Sequence, residues 1–173
     1  MAEEAIRLLT NAPVKALAVT NYENAKAVAG ITVIASGHPV PDENGLRAGK
    51  AVAELLSEAT ADDRVIALIS GGGSALLPAP ADDISLEEKA DVNRLLLANG
   101  FEITQINLIR QQLSRLKGGG MLRLAAPAEV TAFILSDVIG DDLRVIASGP
   151  TVAPIGTAAD AQALFKDKSI WDQ

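Results

Sequence analysis

Short runs of Val, Ile, Leu and Ala alternate along this chain with longer stretches in which apolar positions recur every three or four residues. The short runs predict strands over residues 15–20, 31–35, 65–70 and 130–136. Helical spacing predicts helices over 2–10, 45–59, 86–99, 103–116 and 157–165, and Ser85 ahead of Glu87 and Glu88 reads as an N-cap. The runs 31–35 and 65–70 show little in-out alternation, as expected of strands covered on both faces. The pattern therefore points to an α/β domain around a largely buried sheet. Residues 166–173 are polar and aperiodic, and read as a tail or the start of a linker.

Composition narrows the function more than the fold. At 173 residues and 49% hydrophobic content, the chain can bury one substantial core. Its net charge is -7 and its 15 Lys and Arg residues are scattered, which disfavours nucleic acid or a membrane surface as partner and favours a small substrate. With no cysteine there is no thiol chemistry, and a single histidine, His38, cannot make a His-rich metal site. The acidic start MAEEAIRLL is unlike a secretory leader, and no run of about 20 apolar residues exists, so a cytoplasmic location is expected.

Candidate chemistry sits at strand ends. Ser70 is followed by Gly71, Gly72, Gly73 and Ser74, directly after the strand 65–70. Consecutive glycines let backbone N–H groups converge, and a helical turn behind them would add its positive end, which suits a phosphate or carboxylate. The same glycines also fit a turn that needs them for sterics alone. Neither common nucleotide motif is present. Leu76 breaks a G-x-G-x-x-G reading, and Gly45 to Ala51 is one residue short of a Walker A loop and lacks its Ser or Thr.

The strand 130–136 leads into Asp137, Gly140, Asp141 and Asp142. These three carboxylates could hold Mg²⁺ through one or two direct bonds, or one of them could act as a base. Asp and Gly are equally the residues of an ordinary turn. Next come Ser148, Gly149 and Thr151 around Pro150, where hydroxyls and a freed backbone suit a substrate's oxygens, or simply a Pro-ended turn. The predicted helix 103–116 runs into Lys117, seven residues after Arg110 and hence on the same face, the two being able to offset phosphate charge or merely to favour a helix C-terminus. His38, in the Pro-rich segment after strand 31–35, could serve as a hydrogen-bond donor, an acid or base, or a pin for the loop.

Taken in order, Gly37 to Asp42, Leu68 to Leu76, Lys117 to Gly119, Ser136 to Val138 with Gly140 to Asp142, and Ile146 to Thr151 resemble the glycerate kinases of the MOFRL-containing family. The likeness runs from about Leu17 to Phe165. It implies a Rossmann-like three-layer α/β/α domain with a mostly parallel sheet, followed in the family by a smaller MOFRL domain, with the active site in the cleft between the two. It also implies ATP and Mg²⁺ as cofactors and glycerate as phosphate acceptor, usually at the 2-hydroxyl. On this reading Gly71, Gly72, Gly73 and Ser74 hold the nucleotide, and Arg110, Lys117 and Asp137 are catalytic. His38, Ser148, Gly149 and Thr151 face the substrate, with Asp137 and Asp141 at the metal.

Family members carry an earlier strand and a Gly-Lys loop with no counterpart here, and the MOFRL domain would follow Phe165. The expectation is a partial domain, cut at both ends, with little kinase activity by itself and uncovered apolar surface that favours a dimer or larger species. Some members carry the name hydroxypyruvate reductase. Hydride transfer would call for a dinucleotide fingerprint with an acid some 20 residues on; Asp91 lies at that distance but inside a predicted helix. A third reading is a ligand-binding or oligomerisation module without turnover.

Overall fold

The structure, a computed structural model, describes residues 1–9 and 13–171. Four strands form, β1 (Leu17–Asn21), β2 (Thr32–Ser36), β3 (Arg64–Ile69) and β4 (Glu129–Ile134), each within two residues of its expected ends. They pair in parallel as β1 with β2, from Leu17 opposite Thr32 to Asn21 opposite Ser36, and β3 with β4, from Arg64 opposite Glu129 to Ile69 opposite Ile134. Strand β4 ends earlier than its apolar run because, after Leu135 N donates to Ile69 O, the Ser136 hydroxyl turns the chain by accepting from Val138 N.

The helices are α1 (Ala2–Leu8), α2 (Glu43–Ser57), α3 (Gly73–Leu76), α4 (Leu86–Ala98), α5 (Ile103–Gln112), α6 (Gly120–Ala125) and α7 (Ala158–Asp167). The expected end of the first helix, Thr10, lies outside the described residues. Helix α2 begins two residues before its expected start because the Asp42 carboxylate accepts from Gly45 N and caps it. Ser85 caps α4 as expected, in a reciprocal box with Glu88, and Thr157 and Asp160 do the same for α7. Helix α6, six residues opening on glycine, was not legible, since one turn and a half shows no period.

One correction matters for function. The helix expected to reach residue 116 ends at Gln112, so Lys117 does not share a helix face with Arg110. Backbone pairing elsewhere competes successfully for the last turn: Ser114 forms a bridge with Pro80, and Arg115 N donates to Ala79 O.

Helices α2 and α6 pack together, α2 against β2 and α6 against β4. Their small apolar faces, including Ala53, Leu56 and Ala125, bury Val65 and Val130. Helices α4, α5 and α7 make a second cluster around Leu96, Phe101, Ile106 and Ile109, into which Ile170 also inserts. The polar run after residue 165 is thus anchored by Ile170 and by Trp171, which meets the Phe165 ring edge-on. In β4, Val130, Ala132 and Ile134 face the core while Phe133 lies on the outer face, 57% exposed.

Candidate anion site at the glycine loop

Strand β3 delivers the chain into the glycine loop, and three neighbouring segments close around it. Gly72 has φ of +80°, a conformation open to glycine and costly for other residues. A methyl group added to Gly71 would overlap Oδ2 of Asp137, so that carboxylate rests directly on the loop. One added to Gly72 would meet His38 Nε2 at 3.1 Å, and one on Gly73 would meet Ala147 Cβ at 2.8 Å. The segments carrying His38, Asp137 and Ala147, far apart in sequence, therefore converge on three consecutive glycines.

Among the described residues, the N–H groups of Gly71, Gly72, Gly73 and Ser74 donate to no protein acceptor. The helical turn expected behind them, α3, is four residues long, so the loop's own N–H groups rather than a helix dipole make the site electropositive. A cleft of about 120 Å³ opens beside the loop, lined by Val19, Ser70, Gly71, Gly73, Lys117 and Ala147. Val19 of β1 and Ala67, Leu68 and Ile69 of β3 form part of its wall.

Lys117 is 3% exposed, and its Nζ donates to the Ser74 carbonyl at 3.2 Å. Burial, and then the nearby charges of Lys89 and Arg110, hold its ammonium well below the ordinary lysine range. Arg110 is partly buried and donates to the Asn93 side chain. Although not on one helix face, Arg110 still acts on Lys117 through space.

Ser148 is fully buried and holds the loop rather than facing the cleft. Its hydroxyl donates to Asn107 Oδ1 at 2.9 Å, so the Ser74 hydroxyl, 2.7 Å away, is the donor to Ser148. Ala147 and Ser148 both have positive φ, 50° and 61°, which costs roughly 1 kcal/mol each for L-residues. Gln111 keeps that turn in place, donating to the carbonyls of Arg144 and Ser148 while its Oε1 accepts from Ile155 N. Gly149 O accepts from Gly119 N, tying this turn to the Lys117 segment, and Thr151 follows half-buried behind Pro150.

The acidic loop is less uniform than its sequence. Asp137 and Asp141 are exposed, Asp141 in a left-handed turn after Gly140. Asp142 is instead engaged by Arg144, whose side-chain and backbone hydrogen bonds bring its carboxyl down to about 2. Among the described residues, no three His, Asp or Glu side chains cluster as a ready metal cage. Asp137 and Asp141 fit a metal that takes one or two carboxylates and completes its shell with ligand oxygens, as Mg²⁺ does.

Sequence reasoning missed Asn107, Gln111 and Lys89. For the first two a signal existed: Asn107, Arg110 and Gln111 stand at i, i+3 and i+4 on α5, a polar group on a helix face that is otherwise core. Lys89, on α4, has its Nζ buried with no hydrogen-bond partner, and its ammonium is pushed down to about 8 by burial and then by Arg110. A lysine whose folded value is depressed binds fewer protons than in the unfolded chain between pH 8 and about 10.5. Stability should therefore rise with pH across that window, by up to about 3 kcal/mol, the penalty being fully present below it. Urea denaturation at stepped pH should show this slope in the parent and a shallower one in Lys89→Met.

These features define a Rossmann-like α/β domain with a glycine loop at a strand end, braced by the buried Lys117. The chain belongs to the family described as "Domain of unknown function (DUF4147)", whose model matches residues 1–173. The Rattus norvegicus glycerate kinase is 54% identical over 121 residues, covering 70% of this chain and 23% of the relative. A relative from Agrobacterium vitis, named provisionally as a hydroxypyruvate reductase, is 44% identical over 86% of this chain and 34% of its own length. Among solved structures, the Thermotoga maritima glycerate kinase matches with a TM-score of 0.94 and 38% identity over 98% of this chain and 41% of that one. The resemblance read from the five motifs is borne out. The chain spans about a quarter of the rat relative and two fifths of the Thermotoga one. No helix among the described residues is long and apolar enough to cross a membrane.

Proposed function

We propose that this chain forms the phosphate-binding wall of a glycerate kinase, which moves the γ-phosphate of ATP to D-glycerate, usually at the 2-hydroxyl. The observation that carries the reading is the set of undonated N–H groups of Gly71 to Ser74 between the Asp137 carboxylate and the buried Lys117. Such a cradle receives phosphate oxygens without reorganising, which is how phosphoryl transfer is accelerated when the protein contributes charge and position.

In this scheme Asp137 and Asp141 would hold Mg²⁺, which would supply neutralising charge. Arg110 and Lys117 offset charge on the transferring group. His38, packed on Gly72, and the Gly149 to Thr151 turn lie on the glycerate side, while Ser148 acts as a positioning residue through Ser74 and Asn107. A facing MOFRL domain would close the cleft, so that the chain by itself has little turnover and tends to self-associate through its uncovered apolar face. Hydride transfer finds less support: the loop after β3 lacks the dinucleotide glycine pattern and Asp91 is engaged by Arg94 on α4.

The test is a chimera in which this chain replaces the matching two fifths of the Thermotoga maritima glycerate kinase. With ATP, Mg²⁺ and D-glycerate it should form ADP at a rate within about tenfold of the parent enzyme, and this chain by itself at least 10³-fold slower. A folded chimera with no ADP formation but NADH oxidation in the presence of hydroxypyruvate would replace the kinase reading with the reductase one.

A further inference from the structure

Lysine ammonium groups inside proteins are nearly always met by a carboxylate, a carbonyl or water, because an unmet buried charge is among the costliest features a fold can carry. Lys89 breaks that rule. Its Nζ is shut from solvent with no hydrogen-bond partner, while Glu87 and Glu88 beside it on α4 point elsewhere, Glu88 into the cap at Ser85. The charged neighbours that act on it and on Lys117 are cations: Arg110 on α5 repels Lys89, and Lys89 and Arg110 both repel Lys117.

Positive groups on α4, α5 and the segment after α5 thus act on one another through space, Arg110 reaching α4 itself through its bond to Asn93. Arg110 is held by an uncharged partner, Asn93, one turn along α4 from Lys89, and Lys117 by the Ser74 carbonyl of the glycine loop. A fold keeps such an arrangement when an anion completes it: each cation then gains an attractive partner and their mutual repulsion is offset.

We propose that Lys89, with Arg110 and Lys117, forms an oxyanion subsite behind the glycine loop, filled by a phosphoryl or carboxylate group of the bound ligand. Lys89 is the new member. The inference rests on the phosphate-binding reading above for the side of the loop from which the ligand approaches, but not on catalysis. It requires the empty subsite to be destabilising and the filled one stabilising, the opposite of what a structural lysine would show.

The experiment is thermal unfolding of the full 173-residue chain, Lys89→Met and Lys89→Arg, at pH 7 and constant ionic strength, with chloride, inorganic phosphate or D-glycerate. Without phosphate, Lys89→Met should melt above the parent. Phosphate at ten times its dissociation constant should raise the parent by about 4 °C, and Lys89→Met by much less. Lys89→Arg, which keeps the charge, should retain part of the rise. Circular dichroism before heating shows that each variant is folded, and the exposed Lys166→Met serves as a surface control.

A larger Lys89-dependent rise with D-glycerate than with phosphate assigns the subsite to the carboxylate, and the reverse assigns it to a phosphoryl group. Three results overturn the proposal: a lower melting point for Lys89→Met in chloride, equal phosphate shifts in parent and Lys89→Met, or no shift in the parent with either anion. If the chimera lacks kinase activity while phosphate stabilisation depends on Lys89, the kinase reading fails and the subsite stands. Kinase activity with no such dependence removes the subsite alone.

Discussion

Gly71→Ala in the chimera with the Thermotoga maritima enzyme should lower kcat/KM about 10³-fold while leaving the melting temperature within a few degrees of the parent. Unlike Gly72, Gly71 is not in the left-handed region, so alanine brings no backbone strain of its own. The added methyl instead overlaps the Asp137 carboxylate and displaces it from the loop. Asp137 is exposed, so moving it leaves no buried group unpaired and the fold can absorb the change. The site cannot: loss of one preorganised electrostatic contact typically costs 10²–10³-fold, and here a putting-aside of Asp137 coincides with a bulkier cradle, for about 10³-fold together. Steady-state kinetics with a Mg²⁺ titration give the readout. Unchanged turnover with an unchanged Mg²⁺ dependence would remove both Gly71 and Asp137 from the site. The same pair of measurements on Asp137→Asn separates loss of the carboxylate from crowding of the loop.

Gly120→Ala should be the most destabilising single methyl in the chain, costing roughly 3 kcal/mol or more. Gly120 opens α6 in the buried turn after Lys117, and a Cβ there would overlap the Arg115 backbone carbonyl. Backbone cannot swing aside as a side chain can. The neighbouring hydrogen bonds, Gly118 N to Ser148 O, Gly119 N to Gly149 O and Met121 N to Pro150 O, bind this turn to the strained Ala147 to Gly149 segment, so relaxation at one breaks the other. Urea denaturation of the 173-residue chain measures the effect. Gly140→Ala is the contrast: nothing lies within 4 Å of its Cβ, and only its φ of +86° resists, for about 1 kcal/mol. A cost at Gly120 no greater than at Gly140 would mean that the turn is looser than the geometry implies.

Local pattern carried much of the architecture. Four apolar runs, the cap at Ser85, and glycines at the end of β3 follow from rules that act over a few neighbouring residues, because strand and helix periods are themselves local. The ordered motifs also carried the family. What local pattern could not carry was which distant groups meet. That α5 ends at Gln112 depends on Ala79 and Pro80 taking the backbone of Ser114 and Arg115, over 30 positions away. That Ser148 is tied to Ser74 and Asn107, and that Asp142 is spent on Arg144 while Asp137 rests on Gly71, are likewise outcomes of packing.

Lys89 shows the division most clearly. By sequence it is an ordinary lysine in the first turns of a helix, next to two glutamates. The period of the amino-acid sequence says which face of α4 turns inward, but the charge environment of Lys89 is set by burial and by Arg110 arriving from α5. The sequence by itself determined an α/β domain with a glycine loop at a strand end and the family to which it belongs. Only the tertiary structure decided that the Lys89 ammonium is buried without a hydrogen-bond partner and repelled by Arg110, because electrostatic energy depends on distance through space and not on separation along the chain.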